Sequence, residues 1–124
     1  MKICVTSQGK ILKSQIDPRF GRCAFFIIVD PDSLEFEAIE NPNAQSGGGA
    51  GIQSGQFVSG QGVKSVITGN VGPNAFQTLQ ACGIEVITGV SGSVEEAVAK
   101  YQKGQLKRVE QATVDSHFGS KRGG

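Results

Sequence analysis

Val63-Lys64-Ser65-Val66-Ile67-Thr68-Gly69-Asn70-Val71-Gly72-Pro73-Asn74-Ala75-Phe76 is the stretch that decides the fold. A short β-branched run over 63–68 breaks at Gly69. Gly72-Pro73-Asn74 then opens a helix, because proline at a first helical position has no useful N–H to lose. The helix is predicted to reach about Cys82, with Gly83 ending it. A second strand follows over 84–88. Ser93 with Glu96 three residues on has capping-box spacing, which predicts a helix to Lys103 before Gly104. Strand, helix, strand, helix in succession requires parallel neighbours joined by right-handed crossovers.

Upstream the pattern changes. Residues 2–6 read as a strand. Residues 24–30 are a continuous apolar run, bounded by Pro31-Asp32-Ser33, and predict a strand buried on both faces. Over 34–40, Leu34, Phe36, Ala38 and Ile39 alternate imperfectly with Glu35, Glu37 and Glu40, as expected of a half-exposed hairpin partner. Residues 41–51 are rich in Gly, Asn and Ser and predict a mobile surface loop. Weak helical spacing follows from Ile52 to Gly62, with Gly55 and Gly60 each costing about 1 kcal/mol relative to alanine. The order β-β-β-α-β-α-β-α predicts an α/β domain over 1–104. Its mixed five-stranded sheet is ordered 3-2-1-4-5 with helices on its faces, an architecture similar to the ribonuclease H-like one. The tail, 105–124, is polar and predicted to be flexible.

Composition removes several function classes. With 38% hydrophobic and 19% charged residues the chain of 124 has the make-up of a soluble globular domain. Twelve basic against eleven acidic residues leave a formal charge of +1, which supplies no general field for nucleic acid or an anionic membrane. No apolar run is long enough to span a bilayer, and a cytoplasmic location is expected. Cys4, Cys23 and Cys82 are odd in number and lack CxxC spacing, so neither a disulfide framework nor a zinc motif is indicated. Nothing in the sequence demands a dimer, and a monomer is expected.

The segment richest in chemistry is Asp17-Pro18-Arg19-Phe20-Gly21-Arg22-Cys23. Two guanidinium forks suit an anion, Gly21 allows close backbone approach, and Cys23 offers a soft sulfur ligand. Neighbouring arginines favour its thiolate. A tight turn leading to a buried cysteine is the other reading. A second candidate is Thr68-Gly69-Asn70-Val71-Gly72-Pro73-Asn74, whose N–H groups at a helix start could hold an anion. A plain βα turn with positive φ angles reads equally well. Gly47-Gly48-Gly49 reads either as a lid or as a linker. His117 lies in the tail, where it is a possible metal ligand or simply solvated. Cys4 and Cys82 are expected in the core. No Ser-His-Asp order and no carboxylate cluster stands out, so neither a hydrolase nor a metal-dependent nuclease is expected.

The first motif, followed at once by Phe25-Phe26-Ile27-Ile28-Val29-Asp30, resembles the opening signature of the dinitrogenase iron–molybdenum cofactor biosynthesis family. Val66-Ile67-Thr68-Gly69-Asn70-Val71-Gly72-Pro73-Asn74-Ala75-Phe76 and Gly83-Ile84-Glu85-Val86 look like its second half. The likeness covers about residues 1–104 and is closest to small stand-alone archaeal and bacterial members, more than to the NifX and NifB-type proteins. It implies a ribonuclease H-like fold and a non-catalytic carrier of an iron–sulfur or iron–molybdenum-type cluster, working with cofactor-biosynthesis proteins. Several cofactor-handling relatives carry histidine immediately before Phe-Gly, whereas this chain has Arg19. Ligation would then fall to Cys23, helped by His117 or by arginines pairing with an anionic cluster. The candidate site is Arg19, Phe20, Gly21, Arg22 and Cys23, with Gly69, Asn70 and Gly72 beside it and N–H donors from Gly69 and Gly72. The competing reading is a binding module for an anionic metabolite or a protein partner.

Overall fold

Eight elements alternate as the sequence predicts: β1 (Ile3–Ser7), β2 (Phe25–Val29), β3 (Phe36–Glu40), α1 (Ala50–Ser59), β4 (Ser65–Ile67), α2 (Pro73–Ala81), β5 (Glu85–Ile87) and α3 (Val94–Gln102). The computed structural model describes residues 1–45, 48–109 and 112. The five strands form one sheet in the order β3-β2-β1-β4-β5. β1 runs antiparallel to β2, with Val5 opposite Ile27, and β2 antiparallel to β3, with Ile27 opposite Ala38. β1, β4 and β5 are parallel, with Cys4, Val66 and Val86 in register.

Alternation along each strand sorts the side chains into two cores. Cys4, Phe26, Ile28, Val66 and Val86 face α1 and α2, where Val58, Ala75, Phe76 and Leu79 meet them. Ile3, Val5, Ile27, Val29, Ile67 and Ile87 face the other way, onto Val94, Ala97 and Val98 of α3. The result is three layers. Both faces of β1 and β2 are covered, which is why residues 25–29 read as an unbroken apolar run. Burying a side chain such as Leu79 stabilises by about 1.5–3 kcal/mol.

The glycines of α1 act differently from the simple cost expected of them. A Cβ on Gly55 would stand 3.0 Å from Thr78 Cγ2, and one on Gly51 would stand 3.4 Å from the Ala75 Cβ. They let α1 lie directly on α2, so the lost helix propensity is offset by packing. The helix begins at Ala50, which places the end of the expected loop inside α1. Leu34, expected in a strand, instead sits in the β2–β3 turn at φ 65°, with its N–H donating to Asp30 O at 2.8 Å.

One further expectation needs correction. Cys82 lies at the C-cap of α2 and is exposed, because its helix face points away from the sheet; Cys4 is buried as expected. Part of the segment expected as a tail packs against the sheet. After Gly104 the chain returns along the free edge of β5, where Val109 N donates to Val86 O at 2.8 Å. Leu106 packs on the α3 side of the sheet, and Val109 and Ala112 on the α1/α2 side. Apolar residues too sparse to form a core alone are sufficient to seal an edge. His117 lies outside the described residues.

Candidate functional site

From its carboxyl end, β1 passes to β2 on one side of the sheet; from its own, β4 passes through α2 to β5 on the other. Residues 8–24 and 68–72 therefore diverge from adjacent parallel strands, and such a switch point leaves a crevice at the strand ends. Both sequence motifs belong to these two connections.

Asp17 builds the first of them. Its side chain is buried, with Oδ1 accepting from Arg19 N at 3.0 Å and Oδ2 from Ala24 N at 3.2 Å. One carboxylate thus closes residues 17–24 into a loop. Arg19 Nε also donates to Oδ1 at 3.3 Å, which anchors the near side of a guanidinium whose side chain is 59% exposed. Below, the Thr6 and Thr68 hydroxyls are hydrogen-bonded at 2.8 Å, and Thr6 Oγ1 donates to the Asp17 carbonyl at 2.7 Å.

The second connection locks against the first. Asn70 N donates to Pro18 O at 2.8 Å and Phe20 N to Asn70 O at 3.3 Å, so Arg19 pairs with Asn70 in a one-residue parallel bridge. Gly69 is required by closeness, since a Cβ there would stand 2.7 Å from Pro18 Cα. Neither Gly69 nor Gly72 uses the positive φ that a plain turn would have suggested; Gly72 is extended at φ −82°, ψ 171° and is the N-cap of α2.

Gly21 faces the start of α1, and a Cβ on it would lie 3.1 Å from Gly51 Cα. Its carbonyl accepts from Ser54 Oγ at 2.9 Å and from Asn41 Nδ2 at 3.2 Å, while Asn41 Nδ2 also reaches Cys23 O at 3.0 Å. Neither α1 nor α2 has a side-chain cap or an acidic residue in its first turn. In α3, by contrast, the Ser93 side chain accepts from Glu96 N, and Val94 N and Glu95 N are taken by Ser14 O and Leu12 O. The positive ends of α1 and α2 thus carry no carboxylate in their own first turns.

The predicted site residues divide into two sets. Arg19 and Arg22 are exposed, and Gly21, Gly69, Asn70 and Gly72 are half-buried around them. Phe20 turns inward instead, 2% exposed, with its ring centroid 5.8 Å from that of Phe26. Cys23 is also buried, and the expected thiolate is corrected. Burial, followed by the charges of Cys4 and Asp17, pushes its thiol well above the ordinary range, outweighing the hydrogen bond from Asn41. The nearby arginines cannot activate a sulfur that water does not reach. Among the described residues no three His, Cys, Asp or Glu side chains gather as a metal-binding group. Asn41 and Ser54 are site-building residues that sequence reasoning passed over, and Asp17 and Pro18, though inside the motif, were given no role in holding it. Asp17-Pro18 resembled turn punctuation, Asn41 lay in a low-complexity stretch, and nothing local marks Asn41 as a partner of the loop.

A family model described as dinitrogenase iron-molybdenum cofactor matches residues 1–104. An uncharacterized protein of Methanocaldococcus jannaschii is 31% identical over 100 residues, 78% of this chain and 85% of that protein. The apo form of the orange protein from Desulfovibrio gigas superposes with a TM-score of 0.88 at 36% identity, covering 91% of this chain and 96% of that one. An NMR structure of a proposed NifB protein from Thermotoga is similar at a TM-score of 0.78 and 36% identity, over 91% and 97% of the two chains.

Proposed function

This chain belongs to the dinitrogenase iron-molybdenum cofactor family, and from that premise we propose that it is a non-catalytic carrier of an anionic metal–sulfur cluster, the iron–molybdenum cofactor or a precursor of it. The observation that carries the reading is the pairing of exposed Arg19 and Arg22 with a loop held by buried Asp17. The donor set favours docking over coordination. Cys23 is enclosed and the Asn70 N–H is already taken by the Pro18 carbonyl, so the cargo would be held by guanidinium forks and by the N–H groups of Gly69 and Gly72. Arg19, in the place where the family resemblance implies histidine in several cofactor-handling members, fits this: it offers charge and hydrogen bonds but no metal bond. A carrier that makes no covalent bond to its cargo releases it by exchange of ion pairs alone. Cytoplasmic location and traffic with cofactor-biosynthesis proteins belong to the same proposal.

Anaerobic titration of the full chain with tetrathiomolybdate, a dianionic metal sulfide, tests it through the visible absorption of the bound anion. Binding should weaken at least about tenfold in Arg19→Gln with Arg22→Gln, weaken steeply with salt, and persist in Cys23→Ala. Loss in Cys23→Ala with the fold intact would return ligation to the thiol. No binding of the metal sulfide, with tight binding of an organic phosphate or carboxylate, would favour the anionic-metabolite reading that the same arginines also suit.

A further inference from the structure

The first half of the β1–β2 connection does something different from the Asp17 loop. Gln8 N donates to Gln15 O at 2.9 Å and Ser7 bridges Ile16, so residues 8–15 close as a small hairpin. Its tip is tied internally, with Ser14 N donating to Ile11 O at 3.0 Å, Ile11 N to Ser14 Oγ at 3.2 Å and Ser7 Oγ to Gly9 O at 2.7 Å. The return limb is fixed to α3 by Val94 N donating to Ser14 O at 2.9 Å and Glu95 N to Leu12 O at 2.8 Å. Leu12 packs against the α3-side core. Ile11, one residue earlier, is held outward with 59% of its surface exposed.

Lys10 and Lys13 flank it. Lys10 Nζ lies 5.7 Å from the Phe25 ring centroid, and among the described residues neither lysine is ion-paired with a carboxylate. A large aliphatic side chain on a flexible tip could fold back onto the protein; one on a backbone tied at this many points cannot. An anchor already ordered before association avoids most of the entropy cost of binding, and unpaired charges around it select the rim it meets.

We infer that residues 10–13 are a docking knob for a different protein, one whose surface offers an apolar notch rimmed by carboxylates. The inference stands on the shape and charge of this turn and not on the nature of the cargo. This chain's own β3 edge has related chemistry, with Glu35, Glu37 and Glu40 beside exposed Leu34 and Phe36. A knob of one copy on the β3 edge of another would join two unlike patches head to tail, a contact that grows into open filaments unless the rotation closes. A separate acidic partner is therefore the occupant argued for.

The test is photo-crosslinking of the full chain in its host, with Ile11→p-benzoylphenylalanine as probe and Ile52→p-benzoylphenylalanine, on exposed α1, as control. A discrete adduct specific to position 11 is expected, its cross-linked peptide combining Asp or Glu with aliphatic residues. Lys10→Glu with Lys13→Glu should reduce it at least about fivefold. With that partner purified, Ile11→Asp should weaken association by about tenfold, while the melting temperature of the isolated chain is unchanged because position 11 is exposed. The inference is overturned by no adduct above the control level, by an adduct indifferent to lysine reversal, or by this chain itself as the cross-linked partner.

Discussion

Pro18 Cα stands 2.7 Å from where a Cβ on Gly69 would be, and the Pro18 carbonyl accepts from Asn70 N at 2.8 Å. Two loops that leave the sheet in opposite directions are thus in backbone contact at this point. The obstruction is main chain and a proline ring, neither of which has a rotamer to move. Gly69→Ala should therefore destabilise the protein by about 1–3 kcal/mol, an overpacking penalty measurable by urea unfolding. It should also weaken anion binding through displacement of Arg19. A variant as stable as wild type would mean that the loops separate freely.

Removing the Asp17 carboxylate leaves Arg19 N and Ala24 N without their acceptor. Both N–H groups are only part-buried and can regain water, so Asp17→Ala should cost about 1–3 kcal/mol in all, while Asp17→Asn, which keeps one carbonyl oxygen, should cost less. Amide exchange over 17–24 reports the same loss as faster exchange confined to that loop. Equal stability of the alanine and asparagine variants would show that the carboxylate is not what closes it.

The thiols make a prediction in chemistry and one in pH. Cys4 and Cys23 are buried and Cys82 is exposed, so in native protein a thiol reagent should modify Cys82 rapidly and the other two only after denaturant is added.

Burial raises the pKa of both Cys4 and Cys23, so the folded state keeps them protonated where the unfolded chain, with ordinary thiols near about pH 8.5, ionises. Their contribution to stability is complete below that pH and falls above it, by about 1.4 kcal/mol per pH unit for each thiol. Between about pH 8.5 and 9.5, Cys23→Ala should show roughly half the wild-type slope of unfolding free energy against pH. An unchanged slope would show that the Cys23 thiol ionises in the folded protein.

Truncation after Gly104 removes the hydrogen bond from Val109 N to Val86 O and the contacts of Leu106 and Val109 with the two cores. These half-buried side chains should account for about 1–3 kcal/mol, and their loss should also uncover the β5 edge. The truncated chain is expected to unfold at lower urea and to self-associate more readily than the full chain. Identical unfolding curves would confine the stable domain to residues 1–104.

The sequence by itself determined the order of the elements, the 3-2-1-4-5 sheet and the two motifs that meet at its carboxyl edge. Each rests on a local rule: β-branched runs between turn residues, proline at a helix start, a serine and a glutamate three apart. The same reading could not reach the partners of those motifs. Asn41 lies 18 residues from Cys23 in sequence and hydrogen-bonds its carbonyl; Thr68 lies 62 residues from Thr6 and shares a hydrogen bond with it. Only tertiary packing turned Phe20 and Cys23 inward while leaving Arg19 and Arg22 in water, because Asp17 ties both ends of their loop to one carboxylate. Loop residue types advertise a thiol beside two cations. Whether that thiol is a ligand depends on burial, and burial is set by β1, β2 and α1 closing over it from distant parts of the chain.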